Sequence, residues 1–256
     1  MSVRETVRWL GAVAILLASG TAWAGTITPG KVTKERFAFG EQTVSYYLFV
    51  PKGVTAAASA PMLVLLHGSG RDGSTLVEPW KKLAEKEGIV LVGPDAQDRR
   101  AWMTPTDGPA ALCALVDDLR KSLPIVNPRR IYHFGHSAGA VFVLDRAMLE
   151  SQYFAAGALH AGAWFTPEDY AYTQARHRPI PLALTVGDSD RFFPVREVNA
   201  TAEVLRKAGI PVELEIIPNH DHNYYVMSGK VNQWAWTALE KHALDEDPKY
   251  THHQFR

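Results

Sequence analysis

Five residues in the middle of the chain, Gly135-His136-Ser137-Ala138-Gly139, put one hydroxyl between two glycines where a strand pattern meets a helix pattern. So tight a turn forces its central residue into strained backbone angles. Glycines two before and two after remove side chains that would collide as strand and helix pass. The hydroxyl is then presented near a helix N-terminus, whose free N–H groups favour developing negative charge. The spacing suits a serine nucleophile, with His136 beside it as a candidate pocket residue.

Such a serine needs a base, a group to orient the base, and donors for an oxyanion. Each is on offer just past an apolar run. His67-Gly68-Ser69-Gly70 follows the first run, and its glycines let backbone N–H groups face a ligand. The Ser69 N–H is the first choice as an oxyanion donor and Gly70 the next, with the Ala138 N–H as the second donor. Asp188 and Asp190 follow another run. Asp190 sits beyond the strand end and is preferred for orienting the base, with Asp188 as the alternative. His220 and His222 follow the last run. Only one can reach Ser137 while its other ring nitrogen meets the carboxylate; His222 is preferred over His220. A metal-binding reading of this His-x-His pair finds no further ligands at metal spacing nearby. The order Ser137, Asp190, His222 matches one of the known serine-triad orders.

A frame must hold these loops. Residues 43–51 alternate apolar and polar side chains, as an early antiparallel strand does. The segments 61–68, 89–95, 130–135, 154–162, 181–188 and 211–218 read as strands, and most are continuously apolar, as burial on both faces requires. Helices are expected over 74–88, 109–123, 138–150, 194–209 and 228–244, and a loose polar tail over 245–256. Alternating strand and helix give an α/β fold with a mostly parallel central sheet and helices on both faces. In such sheets the chemistry gathers at the carboxyl ends of the strands, where the four loops fall. Trp102, His160 and Trp164 also follow strands on that side and are candidate pocket residues, along with Gly70 and His136. Only about 18 residues separate Ala163 from Pro181, which leaves no room for a large lid domain.

The chain has 256 residues, 46% hydrophobic and 21% charged, with zero formal net charge. This is material for one domain, and nothing in its charge suggests a nucleic acid or an anionic membrane as partner. Residues 1–24 carry Arg4 and Arg8, a short apolar run and Ala22-Trp23-Ala24. They read as a secretory signal ahead of a domain at 25–256, and the run is too short for a stable membrane anchor. The expected location is secreted or periplasmic. The sole cysteine, Cys113, lies at an apolar helix position and reads as an inert core thiol.

Across nearly the whole mature chain the sequence resembles the α/β-hydrolase superfamily. Gly-His-Ser-Ala-Gly is similar to its nucleophile elbow, His67 to Gly70 to its oxyanion loop, and Gly187, Asp190 and Pro194 to its acid loop. Asp221-His222-Asn223-Tyr224-Tyr225 resembles the histidine loop of esterase-D-like hydrolases, which implies that His222 is the base. Secreted polyhydroxybutyrate depolymerase and feruloyl esterase-like proteins are similar too. The resemblance implies a serine esterase acting on a small or polymeric ester without a cofactor or metal. A binding protein that has lost catalysis is the rival reading, and a peptidase or thioesterase would use the same residues.

Overall fold

Strands apolar on both sides demand cover on both sides of a sheet, and the helices supply it. The computed structural model describes residues 27–250 apart from 56–58 and 105, so the expected signal over 1–24 lies outside the described residues. Eight strands form one sheet in the order β1-β2-β4-β3-β5-β6-β7-β8. The strands β3 (Ala60–Leu66), β4 (Val90–Pro94), β5 (Val126–His136), β6 (Ala156–His160), β7 (Leu182–Gly187) and β8 (Val212–Ile217) run parallel. The hairpin of β1 (Val32–Phe39) and β2 (Gln42–Phe49) is joined antiparallel to β4.

The period of two along β3 shows how the core divides. Met62, Val64 and Leu66 face α2 (Pro109–Ser122), α3 (Ala138–Leu149) and α5 (Val195–Lys207). Leu63 and Leu65 face α1 (Ser74–Glu87) and α6 (Tyr224–Leu239). All five side chains are at most 1% exposed, and each contributes about 1.5–3 kcal/mol by leaving water. The result is a mostly parallel sheet with helices on both faces and, among the described residues, no large lid. Between β6 and β7 stand only α4 (Pro167–Ala171), which starts on a Thr166–Asp169 capping box, and one 3-10 turn, Tyr172–Gln174.

Two expectations are corrected, and the edge strand β1 comes in addition to the strands expected. The last helix spans Tyr224–Leu239 rather than 228–244, because Asn223 is its N-cap and the buried Tyr224 hydroxyl donates to Asn232 Oδ1 at 2.6 Å. The tail is not loose up to Tyr250. The Leu244 N–H donates to the Arg129 carbonyl at 2.9 Å, the Lys249 N–H donates to the Gln152 carbonyl at 3.0 Å, and Tyr250 packs on the core.

Candidate active site

Backbone geometry makes the first contribution. Ser137 sits at φ 57°, ψ −119° between β5 and α3, a positive φ costing about 1–3 kcal/mol. The flanking glycines allow it. A Cβ on Gly139 would lie 1.9 Å from the Leu66 carbonyl oxygen, and one on Gly135 would lie 2.2 Å from the Gly139 carbonyl oxygen. Helix α3 can therefore start only where both positions lack a side chain.

The hydroxyl so presented meets His222. Its Oγ lies 2.9 Å from His222 Nε2, and His222 Nδ1 lies 2.8 Å from Asp190 Oδ2. The other Asp190 oxygen, Oδ1, accepts the N–H groups of Phe192 at 2.8 Å and Phe193 at 2.9 Å. Burial pushes the Asp190 carboxyl up, but these bonds, led by that from His222, hold it below the ordinary carboxylate value. An ionised carboxylate only accepts, so Nδ1 must carry the ring proton. That leaves the Nε2 lone pair facing the serine hydroxyl. Such an arrangement can take a proton from Ser137 and return it to a leaving group.

The loop after β3 is pinned beside the serine. A Cβ on Gly68 would stand 3.4 Å from Ser137 Cβ. His67 Nε2 accepts the Ala96 N–H at 3.1 Å, which leaves its Nδ1 to donate to the Gly68 carbonyl at 2.8 Å. The Gly70 N–H is already engaged with the Arg99 carbonyl at 2.7 Å, so Gly70 is corrected as a reserve oxyanion donor. Among the described residues no protein acceptor takes the N–H of Ser69 or Ala138.

Beneath the serine lies a feature that motif reading missed: a line of three imidazoles. His136 Nδ1 is 3.1 Å from His160 Nδ1, and His160 Nε2 is 3.1 Å from His220 Nε2. The His160 carbonyl also accepts the Ser137 N–H at 3.1 Å, and the His220 carbonyl accepts the Ser189 N–H at 3.0 Å. The line thus joins the loops that carry Ser137, Asp190 and His222. Burial, and next the neighbouring His222, press His136 down to about 3. Burial, and then His136, press His160 down to about 2, so both rings are neutral near pH 7.

Two pocket assignments are corrected by this. His160 is 0% exposed and acts from below rather than lining a pocket. Trp164 is also 0% exposed, with its indole N–H donating to Asp145 Oδ1 at 2.8 Å on the α3 side. Trp102 is half-buried: its indole N–H donates to the His67 carbonyl at 2.8 Å and its ring stacks on Phe142. His136 is almost wholly covered, its ring 4.9 Å from that of His222. His220 serves the imidazole line and not Ser137, while Asp188 is exposed and bonded to the Ser189 hydroxyl at 2.9 Å.

Sheet order, helix cover and a serine on the turn after β5 define an α/β-hydrolase. The sequence profile of the dienelactone hydrolase family matches residues 93–245, well over half of the chain, and the chain belongs to that family of hydrolases. No curated protein sequence matches it. Among solved structures it is similar to a thermostable esterase, with TM-score 0.67 and 21% identity over 83% of this chain and 63% of that one. The chain therefore spans less than two thirds of that esterase. Thermogutta terrifontis esterase 2 phosphorylated by paraoxon gives TM-score 0.67 and 17% identity over 83% of this chain and 94% of that one. An S-formylglutathione hydrolase from Agrobacterium tumefaciens gives 0.64 and 15% over 81% and 94%. At these identities the likeness is one of fold.

Proposed function

We propose that this hydrolase cleaves carboxylic esters, with Ser137 as nucleophile, His222 as base and then acid, and Asp190 holding the imidazole. The line from Ser137 Oγ through His222 to Asp190 Oδ2, at 2.9 and 2.8 Å, carries the reading. Ser137 Oγ bonds to the ester carbonyl carbon as its proton passes to His222 Nε2. The N–H groups of Ser69 and Ala138 hold the oxyanion. The bond to the alcohol oxygen then breaks, and His222 gives that oxygen its proton. Water repeats the sequence on the acyl-enzyme, releasing the acid and restoring Ser137. The chemistry calls for no cofactor.

Thermogutta terrifontis esterase 2 is known phosphorylated by paraoxon and bound to butyrate, which supports small esters as substrates here. Export belongs to the same reading, on the strength of the charged and apolar pattern of residues 1–24 and Ala22-Trp23-Ala24. A mature N-terminus at Gly25, read by mass spectrometry, is the expected result.

The decisive experiment pairs a fluorophosphonate probe with Ser137→Ala. The wild type should be labelled at Ser137. The variant should fold normally and lose roughly three to six orders of magnitude in turnover of a short-chain ester. A folded but unlabelled wild type would instead fit a binding protein on this fold.

A further inference from the structure

The loop that carries Asp190 also carries two phenylalanines whose side chains its backbone does not require. Asp190 Oδ1 needs the N–H groups of residues 192 and 193, and almost any residue can supply an N–H. Yet the Phe192 ring is 70% exposed and lies 4.7 Å from the His222 ring. Phe193 stacks on the same imidazole at 5.8 Å and 21°. Phe165, 51% exposed, meets Phe193 at 5.6 Å. Phe192 thus stands exposed against the His222 ring, and Phe165 stands exposed against Phe193, which stacks on that same ring. The two backbone bonds to Asp190 fix the loop, so the exposure of Phe192 is built in. Exposed aromatic rings gathered around one imidazole are suited to bind an apolar group.

The chemistry says which half of an ester meets these rings. In the step that forms the acyl-enzyme, His222 Nε2 gives its proton to the alcohol oxygen, so that oxygen comes within hydrogen-bond reach of Nε2. Whatever is attached to the oxygen is carried along the imidazole, where the phenyl rings lie. The acyl oxygen is held by the N–H groups of Ser69, on the loop after β3, and Ala138, at the start of α3, neither of which contributes to these aromatic contacts. We propose that Phe192 and Phe165 bind the alcohol portion of the substrate, and that this alcohol is an extended apolar one, a chain of about four or more carbons or a ring. A methyl or ethyl group is too short to cover the rings, and a sugar would lose water there without gaining hydrogen bonds. The inference rests on Ser137 and His222 acting as proposed above.

The test compares esters of alkyl alcohols of similar acidity, so that only contact differs. For the wild type, kcat/KM for hexyl butyrate should exceed that for ethyl butyrate by about tenfold or more. Phe192→Ala should lower this hexyl-to-ethyl ratio about tenfold. It should leave the ratio of ethyl hexanoate to ethyl butyrate, which reports the acyl side, within about twofold. Phe165→Ala, on a separate loop, should move the first ratio in the same direction, and it carries the test if the first variant fails to fold. A wild-type hexyl-to-ethyl ratio near one overturns the proposal, as do variants that change both ratios alike. In those cases labelling of Ser137 by fluorophosphonate, with turnover lost in Ser137→Ala, still supports Ser137 as nucleophile. Absence of turnover on every ester, with Ser137 unlabelled by fluorophosphonate, overturns both readings.

Discussion

The Nε2 atoms of His160 and His220 lie 3.1 Å apart, and through this contact the strand that ends at the hydrogen-bond partner of the Ser137 N–H is tied to the loop of His222. Each neutral imidazole has one N–H and one lone pair. The line His136–His160–His220 can therefore be satisfied only if all its bonds point the same way, and His160 is the sole ring that bonds on both sides.

His160→Phe should fold, since the His160 carbonyl still accepts the Ser137 N–H, but kcat should fall about 100-fold with little change in KM. His160→Gln, which keeps a donor and an acceptor, should recover part of the loss. Steady-state kinetics on a short-chain ester decide it; an unchanged kcat in the phenylalanine variant would show that the line does not position the loops.

Asp190→Asn preserves an oxygen for the N–H groups of Phe192 and Phe193, so the loop should keep its shape. An amide can donate as well as accept, and the imidazole loses its fixed tautomer. Turnover should drop by about 10³–10⁴ with an unchanged melting temperature. Loss of folded protein would instead mean that the carboxylate is structural.

Gly139→Ala meets the Leu66 carbonyl oxygen at 1.9 Å, and its nearest neighbours are all backbone atoms with no flexible side chain to yield. It should cost at least about 2 kcal/mol in denaturant unfolding. Gly68→Ala makes a useful contrast, because its nearest neighbours would stand 3.4 Å away and stability should hardly change. Equal losses in the two would contradict the packing described here.

His133 is fully buried, stacks on Phe154 at 4.4 Å, and has no hydrogen-bond partner on either nitrogen among the described residues. Burial, with the nearby Arg146 adding to it, pushes its pKa well below the ordinary 6.5. Below that value the unfolded chain binds a proton that the folded one refuses, so stability falls as pH drops through and below 6.5. His133→Leu removes this penalty. Its stability relative to wild type should rise by roughly 2 kcal/mol between pH 7 and pH 5. Denaturant titrations giving the same difference at both pH values would refute it.

Where a residue's chemistry coincides with its place in the pattern, the sequence alone locates it. The apolar runs of β3 and β5 and the two glycines around Ser137 mark strand ends and a close crossing, and these follow from local rules. Side-chain direction does not. His160 and Trp164 do follow β6, but one points beneath the serine and the other toward Asp145. Lys34-Glu35-Arg36 gives β1 the look of a charged loop, although an edge strand tolerates charge well. Ser228-Gly229 imitates a helix boundary, although Asn223 is the cap of α6 and the tyrosines after it belong inside.

The return of the chain onto Arg129, near the start of β5, has a practical side. Arg129 and His136 are seven strand positions apart, about 23 Å along β5. A tether attached near Lys249 would thus leave from the pole opposite Ser137. Molecules anchored to a bead or electrode by that route would all turn Ser137 to the liquid, whereas random coupling through lysines would block a share of them.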